Sequence, residues 1–233
     1  MVQRFPEPID HVYILCNPDK EPDRAAYLRG WLAEHDIDPT QYTLGAACYG
    51  SDPYFQTRDV WDMYDPWTTK YGRRVQNFNS KNLKPSELSL ILNFGAAAAE
   101  AVRAGHRIVL ILESDVIFCE DFLNRLREAL VALPPTWDFA SLSASANLTP
   151  KRTEADVGRL WFPPLQPYFH TRCTDSMLFR VPMLQNICGT LFPCAEALDW
   201  ELNFQLSLHD STSLWLDPPI LRQGSAKEYP TTL

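Results

Sequence analysis

Apolar positions along the chain recur with two different periods, and the alternation between them sets out a plan of strands and helices. Short runs rich in aliphatic and aromatic residues predict strands at His11 to Cys16, Tyr42 to Ala47, Arg107 to Leu112, Trp137 to Leu142, Arg159 to Phe162, Asp175 to Val181 and Leu214 to Leu216. Between them, spacings of three and four predict helices. One starts at Pro22 and carries Leu28, Trp31 and Leu32. Another spans Pro85 to Arg103 with Leu88, Ile91, Leu92, Ala96, Ala99 and Val102, stopped by Gly105. Two more run from Glu120 to Leu133 and from Leu198 to Leu208. Strands alternating with helices imply crossovers and a mainly parallel sheet, hence an α/β fold. The tail from Pro218 to Ser225 reads as extended and turn-rich.

The run Ile108-Val109-Leu110-Ile111-Leu112 is apolar at every position, as a strand buried on both faces of a parallel sheet must be. It ends in Glu113-Ser114-Asp115. On an extended backbone Glu113 and Asp115 project to one side, with Cα atoms about 6–7 Å apart, and Ser114 to the other. Two carboxylates at the carboxyl end of a central strand suit a divalent cation or a sugar nucleotide, because open α/β sheets bind ligands at that edge. The polar, proline-marked turn after the first strand brings Asn17, Asp19 and Arg24 to the same edge, with Arg24 a partner for a diphosphate. Solvated acids and helix-dipole complementation are the plainer account of these residues, and of Asp199 and Glu201 in the first turn of the last helix.

The chain has 233 residues, 45% of them hydrophobic, enough for one substantial core; a single domain is expected. A formal net charge of -8 argues against a nucleic-acid binder, and an anionic ligand needs local help from Lys, Arg or a metal. Six scattered cysteines without a CxxC pair exclude a zinc knuckle or a thioredoxin motif. No apolar leader or membrane-length run is present, so a soluble, cytoplasmic protein is expected. From Ser51 to Asn82 no period holds. Aromatic residues there (Tyr54, Phe55, Trp61, Tyr64, Trp67, Tyr71, Phe78) mix with acids and with Lys70, Arg73 and Arg74, a composition suited to a sugar-binding loop or to a small separate core.

An ordered set of motifs adds to these periods. Asn17-Pro18-Asp19-Lys20-Glu21-Pro22-Asp23-Arg24, Leu83-Lys84-Pro85-Ser86-Glu87-Leu88-Ser89, Leu110-Ile111-Leu112-Glu113-Ser114-Asp115-Val116, Trp137-Asp138, Leu198-Asp199, and Pro218-Pro219 with Gln223 together resemble glycosyltransferase family 25, which includes lipopolysaccharide glycosyltransferases and collagen galactosyltransferases. The chain departs from that family at Ser114, where an Asp is usual, at Ser89, where Gly is common, and at Asn93, where His is frequent.

The resemblance implies a GT-A, Rossmann-like fold in one domain. Its nucleotide-binding half would span about residues 9–145 and its acceptor half about 146–233. It further implies an inverting hexosyl- or pentosyltransferase that uses Mn²⁺ or Mg²⁺ and moves a sugar from a nucleotide sugar, UDP-linked, to a glycan or other hydroxyl acceptor. Under it Asp115 is the direct metal ligand, Glu113 binds the metal through water or holds ribose, and His209 or the Gln223 region adds a ligand. Asn17, Asp19, Arg24, Glu87 and Asp175 fall on the donor side, and Asp199, with Glu201 in reserve, is the base. The competing class is a protein of the same fold that binds a nucleotide sugar or glycan without turning it over. A nucleotidyltransferase is disfavoured by the lack of a glycine- and basic-rich loop after the first strand.

Overall fold

The computed structural model describes residues 2–66, 83–144, 148–165 and 169–224. Trp67, Lys70, Tyr71, Arg73, Arg74 and Phe78, marked above as loop residues, lie outside them. The elements in order are β1 (His11–Leu15), α1 (Pro22–Glu34), β2 (Tyr42–Leu44), the single turn α2 (Arg58–Trp61), α3 (Pro85–Arg103), β3 (Ile108–Glu113), β4 (Val116–Phe118), α4 (Phe122–Val131), β5 (Phe139–Ser141), β6 (Trp161–Phe162), β7 (Ser176–Arg180), α5 (Val181–Cys188), α6 (Leu198–Leu208), β8 (Ser213–Leu216) and β9 (Leu221–Gln223).

A seven-stranded sheet has the order β2-β1-β3-β7-β5-β8-β6. β1 pairs in parallel with β2 and β3, and β5 with β8, whereas β7 lies antiparallel between β3 and β5, and β6 antiparallel to β8. The α/β class read from the sequence, a mixed and mainly parallel sheet between helices, is the one observed.

Side-chain alternation explains the two cores. Leu110 and Leu112 of β3 join Val12 and Ile14 of β1 on one face, against Leu28 and Trp31 of α1 and Phe122 and Leu126 of α4. Val109 and Ile111 join Tyr13, Met177 and Phe179 on the other, against Leu88, Ile91 and Phe94 of α3, Leu184 of α5 and Leu202 of α6. Covering both faces is what demands the unbroken apolar sequence of β3. Burying its aliphatic side chains contributes about 1.5–3 kcal/mol each.

α3 starts and stops as its sequence dictates. Pro85 occupies the first turn, the Lys84 N–H donates to Glu87 Oε2 at 2.7 Å, and Gly105 takes φ of +70° past the end.

A separate two-stranded ribbon pairs β4 with β9, Val116 opposite Gln223. It closes against the end of β3 through the Gly224 N–H, which donates to the Asp115 carbonyl at 2.7 Å. Neither ribbon strand nor α5 is anticipated by the periods. β4 follows β3 after only two residues, β9 lies in the tail read as turn-rich, and α5 begins directly where β7 ends, with its proline in the first helical turn. Among the described residues no helix is long and apolar enough to cross a membrane.

Candidate active site

From β1 the chain passes through α1 to β2 on one side, and the later crossover through α3 delivers β3 to the other side of β1. Strand order therefore reverses about β1. The carboxyl ends of β1 and β3 part at this point and leave a crevice, the location where α/β sheets bind ligands. A cavity of about 270 Å³ occupies it. Its walls come from the ends of β1 (Leu15) and β3 (Glu113, Ser114, Asp115), from the start of α1 (Glu21, Arg24), and from the loop after β2 (Ala46, Tyr49). The first half of α3 (including Glu87 and Asn93), the start of α6 (including Asp199) and Gln223 of β9 complete it.

The strand stops at Glu113 and the backbone turns at Ser114 and Asp115, so the alternation expected to send Ser114 away does not operate. All three residues line the cavity. Glu113 is the last residue of the β1–β3 ladder, and its N–H donates to the Asp175 carbonyl at 3.0 Å. Burial, then the charges of Asp115 and Asp199, hold its carboxyl well above the usual range. Thr174 is a hydrogen-bond partner of Glu113 and donates its hydroxyl to Asp199 Oδ1 at 2.8 Å. The Thr174 contact works against the burial of Glu113 and lowers its carboxyl.

Asp115 is buried, 5% exposed, and its Oδ1 has no hydrogen-bond partner among the described residues. A buried carboxylate oxygen left bare costs energy, which marks it as a place for a cation or a donor. Asp199 opens to solvent at the cavity mouth. Packing on its protein side raises its carboxyl, the Thr174 hydrogen bonds lower it, and Asp115 raises it again.

Arg24 Nη1 donates to Glu21 Oε1 at 2.7 Å and to Ser114 Oγ at 2.8 Å, and Ser114 Oγ donates to Glu21 Oε1 at 2.6 Å. Asn93 fixes the facing loop, accepting from the Cys48 N–H at 3.0 Å and donating to the Cys48 carbonyl at 2.9 Å. At Gly50 the same loop presses on α3, where an added Cβ would meet Ser86 N at 2.5 Å.

Of the residues marked from sequence, Arg24, Glu87, Glu113, Asp115, Asp199 and Gln223 meet at this cavity. The others stand elsewhere, each for a physical reason. Asn17 builds the turn that carries Glu21, its Oδ1 accepting from the Asp19 and Lys20 N–H groups and its own N–H donating to Glu21 Oε2. Asp19 is exposed on that turn. Asp175 lies behind the cavity floor, 1% exposed, where Oδ1 accepts from Ser143 Oγ and Cys173 Sγ and burial raises its carboxyl.

Glu201 is fully buried and accepts from the Ala195 N–H at 2.8 Å and Gln205 Nε2 at 2.9 Å, which secures the loop leading to Asp199. His209 caps the far end of α6, at roughly 1.5 Å of rise per residue well removed from Asp199 at its start, and contacts Thr190 Oγ1. Glu21 and Thr174 also contact the residues of this cavity without being marked as site residues from the sequence, and Asn93 is marked there only as a departure from the resembled family. Only the position of Glu21 beside a helix-opening proline is suggestive.

Among the described residues no group of three or more His, Cys, Asp or Glu is assembled to hold a metal ion. The described wall nonetheless carries five carboxyl groups (Glu21, Glu87, Glu113, Asp115, Asp199) against the single guanidinium of Arg24. An anionic ligand enters such a wall only with a cation beside it or with some acids protonated.

No protein-family model matches the chain, and no curated protein matches it. Solved structures resemble it, two of them of the same protein. The crystal structure of S. aureus TarS 1-349 aligns with a TM-score of 0.44 and 12% identity over 94% of this chain and 61% of that one. The crystal structure of S. aureus TarS 1-349 in complex with UDP-GlcNAc aligns with a TM-score of 0.44 and 13% identity over 92% of this chain and 58% of that one. The chain thus spans about three-fifths of the length of the structures it matches.

Proposed function

We propose that the chain is a GT-A-like glycosyltransferase that moves a sugar, with inversion and in the presence of a divalent cation, from a UDP-linked donor to a hydroxyl of a glycan acceptor. The observation that carries this reading is the bare, buried Asp115 Oδ1 beside Glu113 and Asp199 in a cavity at the switch point of the sheet. The motif order resembling glycosyltransferase family 25 supports it.

A divalent cation fits the donor set on two counts. Carboxylate oxygens are the hard ligands Mn²⁺ and Mg²⁺ prefer, and positive charge relieves a wall with five acids and one guanidinium. Asp115 and Glu113 would hold it, with ligand oxygens completing the shell, since no third protein ligand is assembled among the described residues. Such a cation stabilises the negative charge that grows on a departing diphosphate.

The chain's own residues supply the rest. Arg24 faces the anionic part of the donor with a planar fork suited to paired oxygens. Asp199 stands at the solvent-facing mouth, where an acceptor hydroxyl arrives, and its raised carboxyl is better matched to taking a proton near neutrality than an ordinary aspartate. Thr174 orients it from behind.

The test is calorimetric titration with UDP, with and without Mn²⁺, followed by hydrolysis assays on a panel of UDP- and GDP-sugars. Mn²⁺-dependent UDP binding with slow donor hydrolysis is expected. Failure to bind any nucleotide in the presence of Mn²⁺ sinks the proposal, and binding without turnover of any donor or acceptor replaces it with the non-catalytic reading.

A further inference from the structure

Ser114 stands where the resembled family carries an acid, and the structure shows what surrounds that position. Glu21 reaches it from the start of α1, and the carboxylate is saturated by this chain's own donors: Ser114 Oγ at 2.6 Å and Arg24 Nη1 at 2.7 Å on Oε1, and the Asn17 N–H at 3.0 Å on Oε2. Glu21 and Ser114 are 8% and 6% exposed, and the Arg24 side chain 13%. All three line the cavity.

Arg24 Nη1 donates to both Glu21 Oε1 and Ser114 Oγ, two acceptors that lie side by side 2.6 Å apart. The three remaining N–H groups, on Nε and Nη2, have no partner among the described residues. They form the guanidinium edge that grips two oxygens of one anion. A guanidinium on a long side chain otherwise loses rotamer freedom when it binds, so locking it beforehand favours binding.

We infer that Glu21 and Ser114 are positioning residues that lock Arg24 by its Nη1 and present its Nε/Nη2 edge to the diphosphate of the donor. This deepens the glycosyltransferase reading and rests on it for the identity of the anion. It also explains the departure at Ser114. A carboxylate there would lie against Glu21 Oε1, two like charges within hydrogen-bond distance, and would draw Arg24 out of its lock. Ser114 is the residue that both donates to Glu21 and accepts from Arg24, which no carboxylate does.

The experiment titrates inorganic pyrophosphate and, separately, UDP into the full chain with Mn²⁺ present, for the wild type and the variants Ser114→Asp, Ser114→Asp with Glu21→Gln, Ser114→Ala and Arg24→Lys. Pyrophosphate affinity is expected to fall at least tenfold in Ser114→Asp and to recover most of that loss when Glu21→Gln removes the opposing charge. Arg24→Lys, which keeps charge but loses the fork, is expected to fall by a similar factor, and Ser114→Ala by a few-fold. A purely structural role predicts no rescue by the second substitution.

Equal pyrophosphate affinity across all variants, or no pyrophosphate binding by the wild type, overturns the inference. If Ser114→Asp does not fold, unchanged affinity in both Ser114→Ala and Arg24→Lys overturns it as well. Pyrophosphate binding with the expected pattern but no added affinity for UDP upholds the positioning role and refutes the nucleotide donor. UDP binding with a flat variant series does the reverse.

Discussion

Replacing Asp115 with Asn separates stability from function in a way that only a ligand-binding carboxylate does. In the ligand-free protein Asp115 buries an oxygen with no partner among the described residues, and its charge raises Glu113, Asp175 and Asp199. Leaving a buried polar group unsatisfied costs about 1–3 kcal/mol, more when it is charged. Asparagine has nearly the same shape, carries no charge and brings an NH₂ group into a neighbourhood of carboxylate acceptors.

Asp115→Asn is therefore expected to stabilise the ligand-free protein by about 1–3 kcal/mol, which for a chain of this size raises Tm by about 2–12 °C. Adding Mn²⁺ and UDP at about a hundred times Kd should stabilise the wild type by about 2.7 kcal/mol and the variant hardly at all. Thermal melts with and without ligand read both effects at once, and the advantage of the variant should shrink or reverse when ligand is present. A variant that melts lower than wild type without ligand, yet gains the full ligand shift, would refute both the cost assigned to Asp115 and its place in the site.

Asp199→Asn should lower kcat by about 10²–10⁴-fold with donor affinity nearly intact, measured by steady-state kinetics beside UDP titration; lost UDP binding would move Asp199 out of the base role. Thr174→Val removes a hydrogen bond that lowers the Asp199 carboxyl, so the acid limb of the pH–kcat profile should move to higher pH. Glu196, buried and pushed up to about 7 by desolvation and by Glu201, binds its proton more tightly in the folded state. Its contribution is complete below the ordinary carboxylate range and is lost as pH rises toward 7, so Tm should fall between about pH 5 and pH 7, and Glu196→Gln should flatten that slope. Gly50→Ala sets a Cβ against the Ser86 backbone, which has no flexible end to yield; a loss of about 1–3 kcal/mol in chemical denaturation is expected, with weaker UDP binding because the loop and α3 are both cavity walls.

The sheet was legible where burial alone decides conformation. β3 is apolar at each position because helices cover both faces, and α3 keeps one face against the sheet over its whole length. Elements were missed where short range competes with tertiary context. Three-residue strands such as β4 and β9 show too few alternations for a period, and each exists because the other pairs with it. α5 was hidden because Val181 completes the apolar run of β7 while opening a helix whose proline, in the first turn, gives up an N–H that needs no partner.

The same distinction governs the site. That two acids end a buried strand is readable along the chain, but where each side chain goes depends on which backbone ladder continues. Glu113 still belongs to the sheet, held by Leu15 on one side and the Asp175 carbonyl on the other, and it reaches Thr174 in front of α6. One residue later the ladder has ended, and Ser114 turns to Glu21 and Arg24 of α1. Asp115 then gives its carbonyl to Gly224 beyond β9 and keeps a bare carboxylate oxygen. Three consecutive residues therefore tie α6, α1 and the ribbon to one point. A shift of any of these elements alters the spacing between Asp199, the Arg24 guanidinium and the Glu113–Asp115 pair together.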